Sequence, residues 1–237
     1  MIIKQEKSDK FLPKPVSMFA LRRKIIWFYK NNGRQFPWRN TSDPYCIMIA
    51  EFMLHRTRAE QVAPIYSEFI KKYPTIQSLE DAKESSIEKV TKHLGLHWRS
   101  KHFIESATYI REHFSGKIPN DRDKILQIPG VGDYTAGAIL TVCYKKKEYV
   151  VDSNIARLIN RYYGLGFTGE IRRKKRIIEF SRSIFKTKNP GKMLYAIIDF
   201  TAIVCKPLHP LCSSCDLRVK CKYGYKNVSK KNNYYAE

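Results

Sequence analysis

Four cysteines near the end of the sequence are spaced to bind a metal centre. They form the pattern C-x6-C-x2-C-x5-C at Cys205, Cys212, Cys215 and Cys221. The gaps are too short for a long helix to separate the sulfur atoms. A single C-x2-C pair with unequal outer gaps favours a [4Fe–4S] cluster held by four thiolates over a zinc site, which usually has two such pairs. From spacing alone, zinc and unpaired thiols remain alternatives.

A second segment, residues 126–136, predicts a hairpin that binds phosphate. It reads Leu-Gln-Ile-Pro-Gly-Val-Gly-Asp-Tyr-Thr-Ala. Glycine permits a tight turn and leaves backbone N–H groups exposed, and the following helix directs its positive dipole end to the same place. We therefore expect Gly130, Val131, Gly132 and Thr135 to bind a phosphate group, a contact that in a nucleic acid would not read the sequence.

Asp152 is the third candidate for chemistry. It follows two apolar residues, Val150 and Val151, at a position where a helix can begin, so one interpretation is a helix N-cap. The other is a catalytic carboxylate, and the two are compatible. Backbone N–H bonds and the helix dipole would keep Asp152 ionised. An ionised carboxylate beside a sugar stabilises the oxocarbenium-like state in which a glycosidic bond breaks.

The charge of the chain indicates a polyanionic partner. Lys and Arg number 44 against 22 Asp and Glu in 237 residues, a formal net charge of +22. Nucleic acid and an anionic membrane surface both fit this excess, and a merely soluble basic surface is the alternative. The first residues do not resemble a signal peptide, and no run approaches the ~18 apolar residues of a spanning helix. We therefore expect a cytoplasmic or nuclear protein that is not secreted and has no membrane partner.

The elements that must position these residues are predicted to be helices, because apolar residues recur at three- and four-residue spacing. Asp43-Pro44 predicts an N-cap followed by proline in the first turn. Ser78 is predicted to open a short helix. The other predicted helices cover residues 18–30, 61–72, 101–114, 124–127, 134–144, 153–163, 173–185 and 192–205. The lone Cys46 and Cys143 are interpreted as small core residues.

With these motifs in place, the sequence resembles the endonuclease III superfamily of helix–hairpin–helix DNA glycosylases from about Trp27 to Cys221. The matching motifs are Phe36-Pro37-Trp38-Arg39, Pro44-Tyr45, Ala50-Glu51, Thr57, the glycine hairpin, Val151-Asp152-x-Asn154-x-x-Arg157 and the cysteine pattern. The resemblance implies a [4Fe–4S] cluster. It also implies an enzyme that extrudes a mismatched or damaged nucleotide from double-stranded DNA into a pocket. We expect it to be a monomer.

The resemblance further implies a two-domain, all-α fold. Residues 1–36 would form an N-terminal arm and a helix that packs on the cluster domain. Residues 37–146 would form a six-helix domain that contains the hairpin. Residues 147–237 would form the iron–sulfur cluster domain with a loose basic tail.

Tyr134 determines the expected chemistry. Bifunctional members of the superfamily have a lysine at this position, which forms a Schiff base with the sugar. A phenol with a pKa of ~10 cannot form an imine. The expected reaction is therefore hydrolysis by water in a monofunctional enzyme, with Asp152 as electrostatic partner or base.

Glu51 matches the acid that protonates the leaving adenine in adenine-specific relatives. It is interpreted as a leaving-group acid or a pocket hydrogen-bonding group, and the alternative is a helix-face carboxylate near Arg56. Three features instead resemble the glycosylases that remove thymine or uracil opposite guanine. They are Tyr134, Arg56 before Thr57, and the few residues after Cys221. The alternatives are an adenine glycosylase acting opposite guanine or 8-oxoguanine, an endonuclease III-like enzyme with weak lyase activity, and a DNA-binding protein without catalysis.

Two further positions match residues that enter the DNA helix. Arg56 would fill the hole left by the extruded base and hydrogen-bond the unpaired guanine. Trp98 would intercalate on the opposite strand, and its alternative role is core packing. Trp38 and Tyr45 are interpreted as core residues.

Overall fold

A computed structural model describes residues 17–95 and 100–226 of the chain. These residues form helices and loops, with no strand among them, so the predicted all-α class is confirmed. None of the helices in these two ranges is both long enough and apolar enough to cross a membrane. The helices are α1 Met18–Asn32, α2 Pro44–Leu54, α3 Ala59–Lys72, α4 Ile76–Glu80, α5 Glu84–Thr91, α6 Ser100–Phe114, α7 Arg122–Ile125, α8 Asp133–Val142, α9 Ser153–Tyr163, α10 Lys175–Phe185 and α11 Pro190–Ile203.

Local capping chemistry sets several helix starts. The Asp43 side chain accepts a hydrogen bond from the Tyr45 amide at 2.8 Å, and Pro44 is the first residue of α2, as predicted. Helix α4 begins before the predicted Ser78, because Thr75 is its N-cap and the Thr75 and Ser78 side chains bond each other's backbone amides. Helix α5 was not predicted, since its short sequence has few apolar residues to set a period.

The chain divides into two compact units. The first contains the described residues up to 33, residues 149–187 and those from 192 onward. The second contains the described residues within 34–148 together with residues 188–191. The three domains set out from the sequence stay a prediction.

The core of the second unit is aromatic. The Trp38 ring stacks on Phe36 with centroids 4.9 Å apart and meets Tyr66 edge-on. Phe103 of α6 contacts Phe69 of α3, with ring centroids at 5.1 Å. Trp38 and Tyr45 are both buried, so their interpretation as core residues is confirmed. This core fixes α2, α6 and α8, the helices that carry the candidate site of this unit.

The first unit packs α9 and α10 together and places α1 against α10. Tyr163 of α9 stacks on Phe180 of α10 with centroids 3.9 Å apart. The Ser181 hydroxyl of α10 donates to the Val150 carbonyl at 2.6 Å, and the Val150 amide donates back to that hydroxyl at 3.1 Å. These buried bonds position the segment that leads directly into Asp152.

Candidate active site and nucleic-acid interface

Helices α7 and α8 flank the predicted glycine turn. Gly130 has φ +78°, the left-handed region that favours glycine, and a Cβ there would lie 3.3 Å from Cζ of Phe52. The Ser106 hydroxyl of α6 donates to the Pro129 carbonyl at 2.7 Å. The turn is therefore fixed by its own backbone and by contacts from α2 and α6.

The sequence analysis expected exposed backbone amides in this turn, but the turn residues are not equally open. The Val131 amide donates to the Ile128 carbonyl at 3.1 Å, and the Val131 side chain is buried. Gly132 has ordinary extended geometry, with φ −100°, and a Cβ there would have nothing within 4 Å. Open space therefore lies at Gly132 and the first turn of α8, where helical amides have no intrahelical partner.

An ion pair supports the start of α8. Arg122 of α7 donates to the Asp133 carboxylate at 2.7 Å and to its carbonyl at 3.1 Å, and pairs with Glu148 at 3.4 Å. The Arg122 side chain is mostly buried. It joins the two helices of the hairpin, and the sequence motif did not reveal this residue.

A pocket in the second unit gathers several candidate residues. It is lined by Glu51, Phe52, His55, His102, Phe103, Gly130 and Thr135. Glu51 lies in the last turn of α2, His55 is the C-cap of that helix, and Thr135 lies in the first turn of α8. Three predicted site residues, Glu51, Gly130 and Thr135, are therefore brought together. No sequence motif identified His102, because it is the packing of α6, not spacing along the sequence, that places His102 beside the hairpin.

The predicted catalytic residue Tyr134 and the predicted DNA-binding residues Arg56 and Trp98 have different outcomes. Tyr134 is partly exposed in the first turn of α8. Arg56 is exposed after α2 and adopts φ +64°, which is uncommon for a residue other than glycine. Trp98 lies outside the described residues. The roles proposed for these side chains stay predictions.

Asp152 is the N-cap of α9 in the first unit, as predicted. One carboxylate oxygen accepts from the Ile155 amide at 2.7 Å, and the other accepts from the Asn154 side chain at 2.6 Å. Burial raises the pKa of Asp152 above its ordinary value, and the bonds from Ile155 and Asn154 and the charge of Arg157 oppose that shift. The sequence argument expected backbone N–H bonds and the helix dipole to keep Asp152 ionised, but it missed the desolvation, which is the largest effect on the pKa of Asp152.

Two arginines of α9 connect the Asp152 helix to the cysteine segment. Arg157 donates to the carbonyls of Thr201 at 3.3 Å and Cys205 at 3.1 Å. One turn later, Arg161 donates to the Lys206 carbonyl at 2.6 Å and lies 3.7 Å from the Cys205 sulfur. Sequence analysis missed Arg161, although its spacing from Arg157 on one helix face is a signal that could have identified it.

The four predicted cysteines border one pocket at the end of α11. They share it with apolar side chains that include Leu158, Phe200, Val204, Leu211 and Leu217. Within the described residues, no group of three or more His, Cys, Asp or Glu side chains is arranged to hold a metal ion. The four cysteines nevertheless line the same pocket as Arg161, and thiolates are the ligands that iron–sulfur clusters use. A [4Fe–4S] group there would be bound by Cys205, Cys212, Cys215 and Cys221.

Burial affects the thiols of this pocket. It raises the pKa of Cys215 to about 12 and that of Cys221 to about 11. The charges of the neighbouring cysteines add to both shifts, while backbone amides of Leu217, Gly224 and Tyr223 oppose them. Burial therefore favours the neutral thiols of Cys215 and Cys221 over their thiolates.

An all-helical fold with a glycine hairpin defines a helix–hairpin–helix protein, and comparison with known proteins identifies its family. Residues 49–186 match the HhH-GPD superfamily of base excision DNA repair proteins. The thymine/uracil-DNA glycosylase of Methanothermobacter thermautotrophicus is 34% identical over 200 residues, which cover 84% of this chain and 90% of the relative. The adenine DNA glycosylase of Buchnera aphidicola subsp. Acyrthosiphon pisum is 31% identical and covers 87% of this chain, which spans 62% of that relative.

A solved structure agrees with these sequence matches. The structure of a thermostable thymine-DNA glycosylase superposes with a TM-score of 0.84 at 33% identity, and covers 88% of this chain and 97% of its own. The chain belongs to the HhH-GPD superfamily. The predicted membership of the helix–hairpin–helix glycosylases is thereby confirmed, and so is the predicted enzyme class, a DNA glycosylase that acts on N-glycosyl bonds.

Proposed function

We propose that the protein is a monofunctional glycosylase that hydrolyses the N-glycosidic bond of thymine or uracil mispaired with guanine in double-stranded DNA. The observation that carries the proposal is the pair of residues at two helix starts: a phenol, Tyr134, on α8 and a carboxylate, Asp152, on α9. A phenol cannot form the Schiff base that strand cleavage requires. The thymine/uracil-DNA glycosylase relative supports this choice of base.

Asp152 supplies the electrostatic part of the reaction. Its carboxylate accepts hydrogen bonds from the Ile155 amide and the Asn154 side chain, and Asp152 as a residue is only partly buried. As the base departs with the electron pair of the glycosidic bond, positive charge develops on the sugar, and an adjacent carboxylate stabilises it. Water then adds to the sugar carbon, and Asp152 accepts its proton.

Glu51 acts on the departing base. It lines a pocket walled by Phe52 and Phe103, and a flipped base is held by such aromatic rings and by hydrogen bonds to its polar edge. Glu51 donates a proton to the leaving group, or hydrogen-bonds the base. Arg56 fills the vacated position in the duplex, and Trp98 inserts on the opposite strand.

An adenine-specific mismatch glycosylase is the second candidate. The specific observation in its favour is the presence of Glu51, within Ala50-Glu51, in the pocket beside Gly130, together with the similarity to an adenine DNA glycosylase. Tyr134 and Arg56 favour the thymine and uracil branch.

We also propose that Cys205, Cys212, Cys215 and Cys221 bind a [4Fe–4S] cluster that stabilises the segment between them. Arg157 and Arg161 would connect this segment to the helix that begins at Asp152. Purified protein should then be yellow-brown and contain iron, and Cys215→Ser should lower the iron content and the thermal midpoint together. Zinc in place of iron would refute the assignment.

The test of the substrate is a panel of duplexes that carry T·G, U·G, A·G or A·8-oxoguanine. We expect abasic product from T·G and U·G, with strand cleavage only after alkali. Excision of adenine alone would establish the second candidate. Inactivity across a wider set of lesions would favour a DNA-binding protein without catalysis. The enzyme is expected to act as a monomer in the cytoplasm or nucleus, where the genome is.

The test of the mechanism is trapping with borohydride. The natural protein should form no covalent DNA adduct, whereas Tyr134→Lys should form one, because it restores an amine at the first turn of α8. That variant also serves as the positive control for the trapping reaction. An adduct with the natural protein would contradict the monofunctional assignment.

A further inference from the structure

Five consecutive cationic residues form an exposed segment that the reaction described above does not use. We call it the basic strip; it consists of Arg172, Arg173, Lys174, Lys175 and Arg176. The strip leads into α10, which begins at Lys175. The dipole of a helix repels cations at its N-terminus, and neighbouring like charges repel one another. In the free protein this arrangement therefore has an electrostatic cost.

The loop before the strip is held in a defined conformation. The Asn160 side chain of α9 donates to the Phe167 carbonyl at 2.9 Å and accepts from the Phe167 amide at 3.1 Å. Gly164, Gly166 and Gly169 all have positive φ, which ordinary residues rarely adopt. The loop that leads to the strip is thus attached to α9, the helix that begins at Asp152.

Local acidic residues compensate only part of the charge. Glu170 accepts hydrogen bonds from the Arg172 amide and side chain, and these bonds lower the pKa of Glu170 to about 2. Residues 170–176 contain five cations and one carboxylate, so the segment keeps four positive charges. Hydrogen bonding to Glu170 raises the pKa of Arg172, and the charge of Asp152 adds to that shift. The start of the strip is therefore within electrostatic reach of the proposed catalytic carboxylate.

We propose that the basic strip binds backbone phosphates of the DNA duplex beside the extruded nucleotide. This inference rests on the proposed function, because it takes Asp152 as the residue that meets the sugar. Lysine and arginine side chains that contact phosphates fix the position of a protein on DNA without reading the bases. The strip would be a second contact with the DNA backbone, separate in the sequence from the glycine hairpin. The bound phosphates would offset the repulsion between the clustered cations.

The test is the salt dependence of binding to an undamaged duplex. Each phosphate contact contributes about 0.9 to the slope of log affinity against log salt concentration. The triple variant Arg173→Gln, Lys174→Gln, Lys175→Gln should therefore lower that slope by nearly three relative to the natural protein. Arg172 is left in place because it binds Glu170. The single variant Lys174→Gln should lower the slope by about one.

The control removes the same charge elsewhere. Lys71, Lys83 and Lys89 are exposed on the second unit, and changing all three to Gln should lower the slope by less than one. An unchanged slope in the strip variant, or an equal loss in the control, would overturn the inference. Because the duplex is undamaged, the result does not depend on which lesion the enzyme removes. Inactivity on T·G and U·G would refute the proposed function, while the salt dependence of binding would still test the strip.

Discussion

Helices α8 and α9 both begin at candidate functional residues, yet their first turns are built differently. Gly132 caps α8 with no side-chain hydrogen bond, and space is open around it. Asp152 caps α9 with its own carboxylate, which already bonds the Ile155 amide. The start of α8 can therefore offer amides to an anion, whereas the start of α9 offers a carboxylate. A helix N-terminus is a phosphate site only where its own cap does not use the amides.

The largest expected effect is at Asp152. Asp152→Asn keeps an N-capping side chain but removes the negative charge, so turnover should fall by about 10²–10⁴ while DNA affinity changes little. Single-turnover excision and a binding titration on the same mismatched duplex measure the two quantities. Asp43→Asn, at the cap of α2, is the matched control and should retain activity. Near-normal turnover by Asp152→Asn would remove the carboxylate from the mechanism.

The two helix starts also differ in how far the sequence predicted them. The Asp152 cap and the glycine turn follow from local chemistry, so residue type and spacing located both. The burial that raises the Asp152 pKa does not follow from the local motif. The same holds for His102 in the pocket and Arg161 at the cysteines. Sequence alone locates a motif, while packing between helices decides what surrounds it.

The second prediction separates the two glycines of the hairpin. Gly132→Ala should leave the free energy of unfolding within about 1 kcal/mol of the natural value yet lower DNA affinity by roughly tenfold, because the new methyl group occupies the open space where a phosphate approaches. Gly130→Ala should instead destabilise the fold by about 1–2 kcal/mol, since φ is +78° and Phe52 is close. Chemical denaturation and DNA titration of both variants check this. Equal stabilities would contradict the assignment of the strained position.

A third prediction concerns Arg56, which has a positive φ as Gly130 does but carries a side chain. Arg56→Gly should raise the stability by about 1 kcal/mol, because glycine adopts φ +64° without cost, and should lower excision from mismatched DNA. Lys145 has φ +55°, so Lys145→Gly should give the same gain in stability with activity unchanged. Thermal midpoints and excision rates distinguish the two. If Arg56→Gly retained full activity, the Arg56 side chain would not be needed to stabilise the extruded state.

The smallest expected effect is a change of the protein's stability with pH that arises at Asp152, the N-cap of α9. Its capping hydrogen bond alone would not produce this change. Because burial raises the pKa of Asp152, the folded state binds more protons than the unfolded state between the ordinary aspartate pKa and the raised one. Stability from this group therefore falls as pH rises through that window. Asp152→Asn lacks the titration, so its thermal midpoint should gain on that of the natural protein from pH 4 upward. Asp43→Asn gives the baseline for losing a capping carboxylate. If the natural protein instead gained on Asp152→Asn as the pH rises, hydrogen bonding would outweigh desolvation at Asp152.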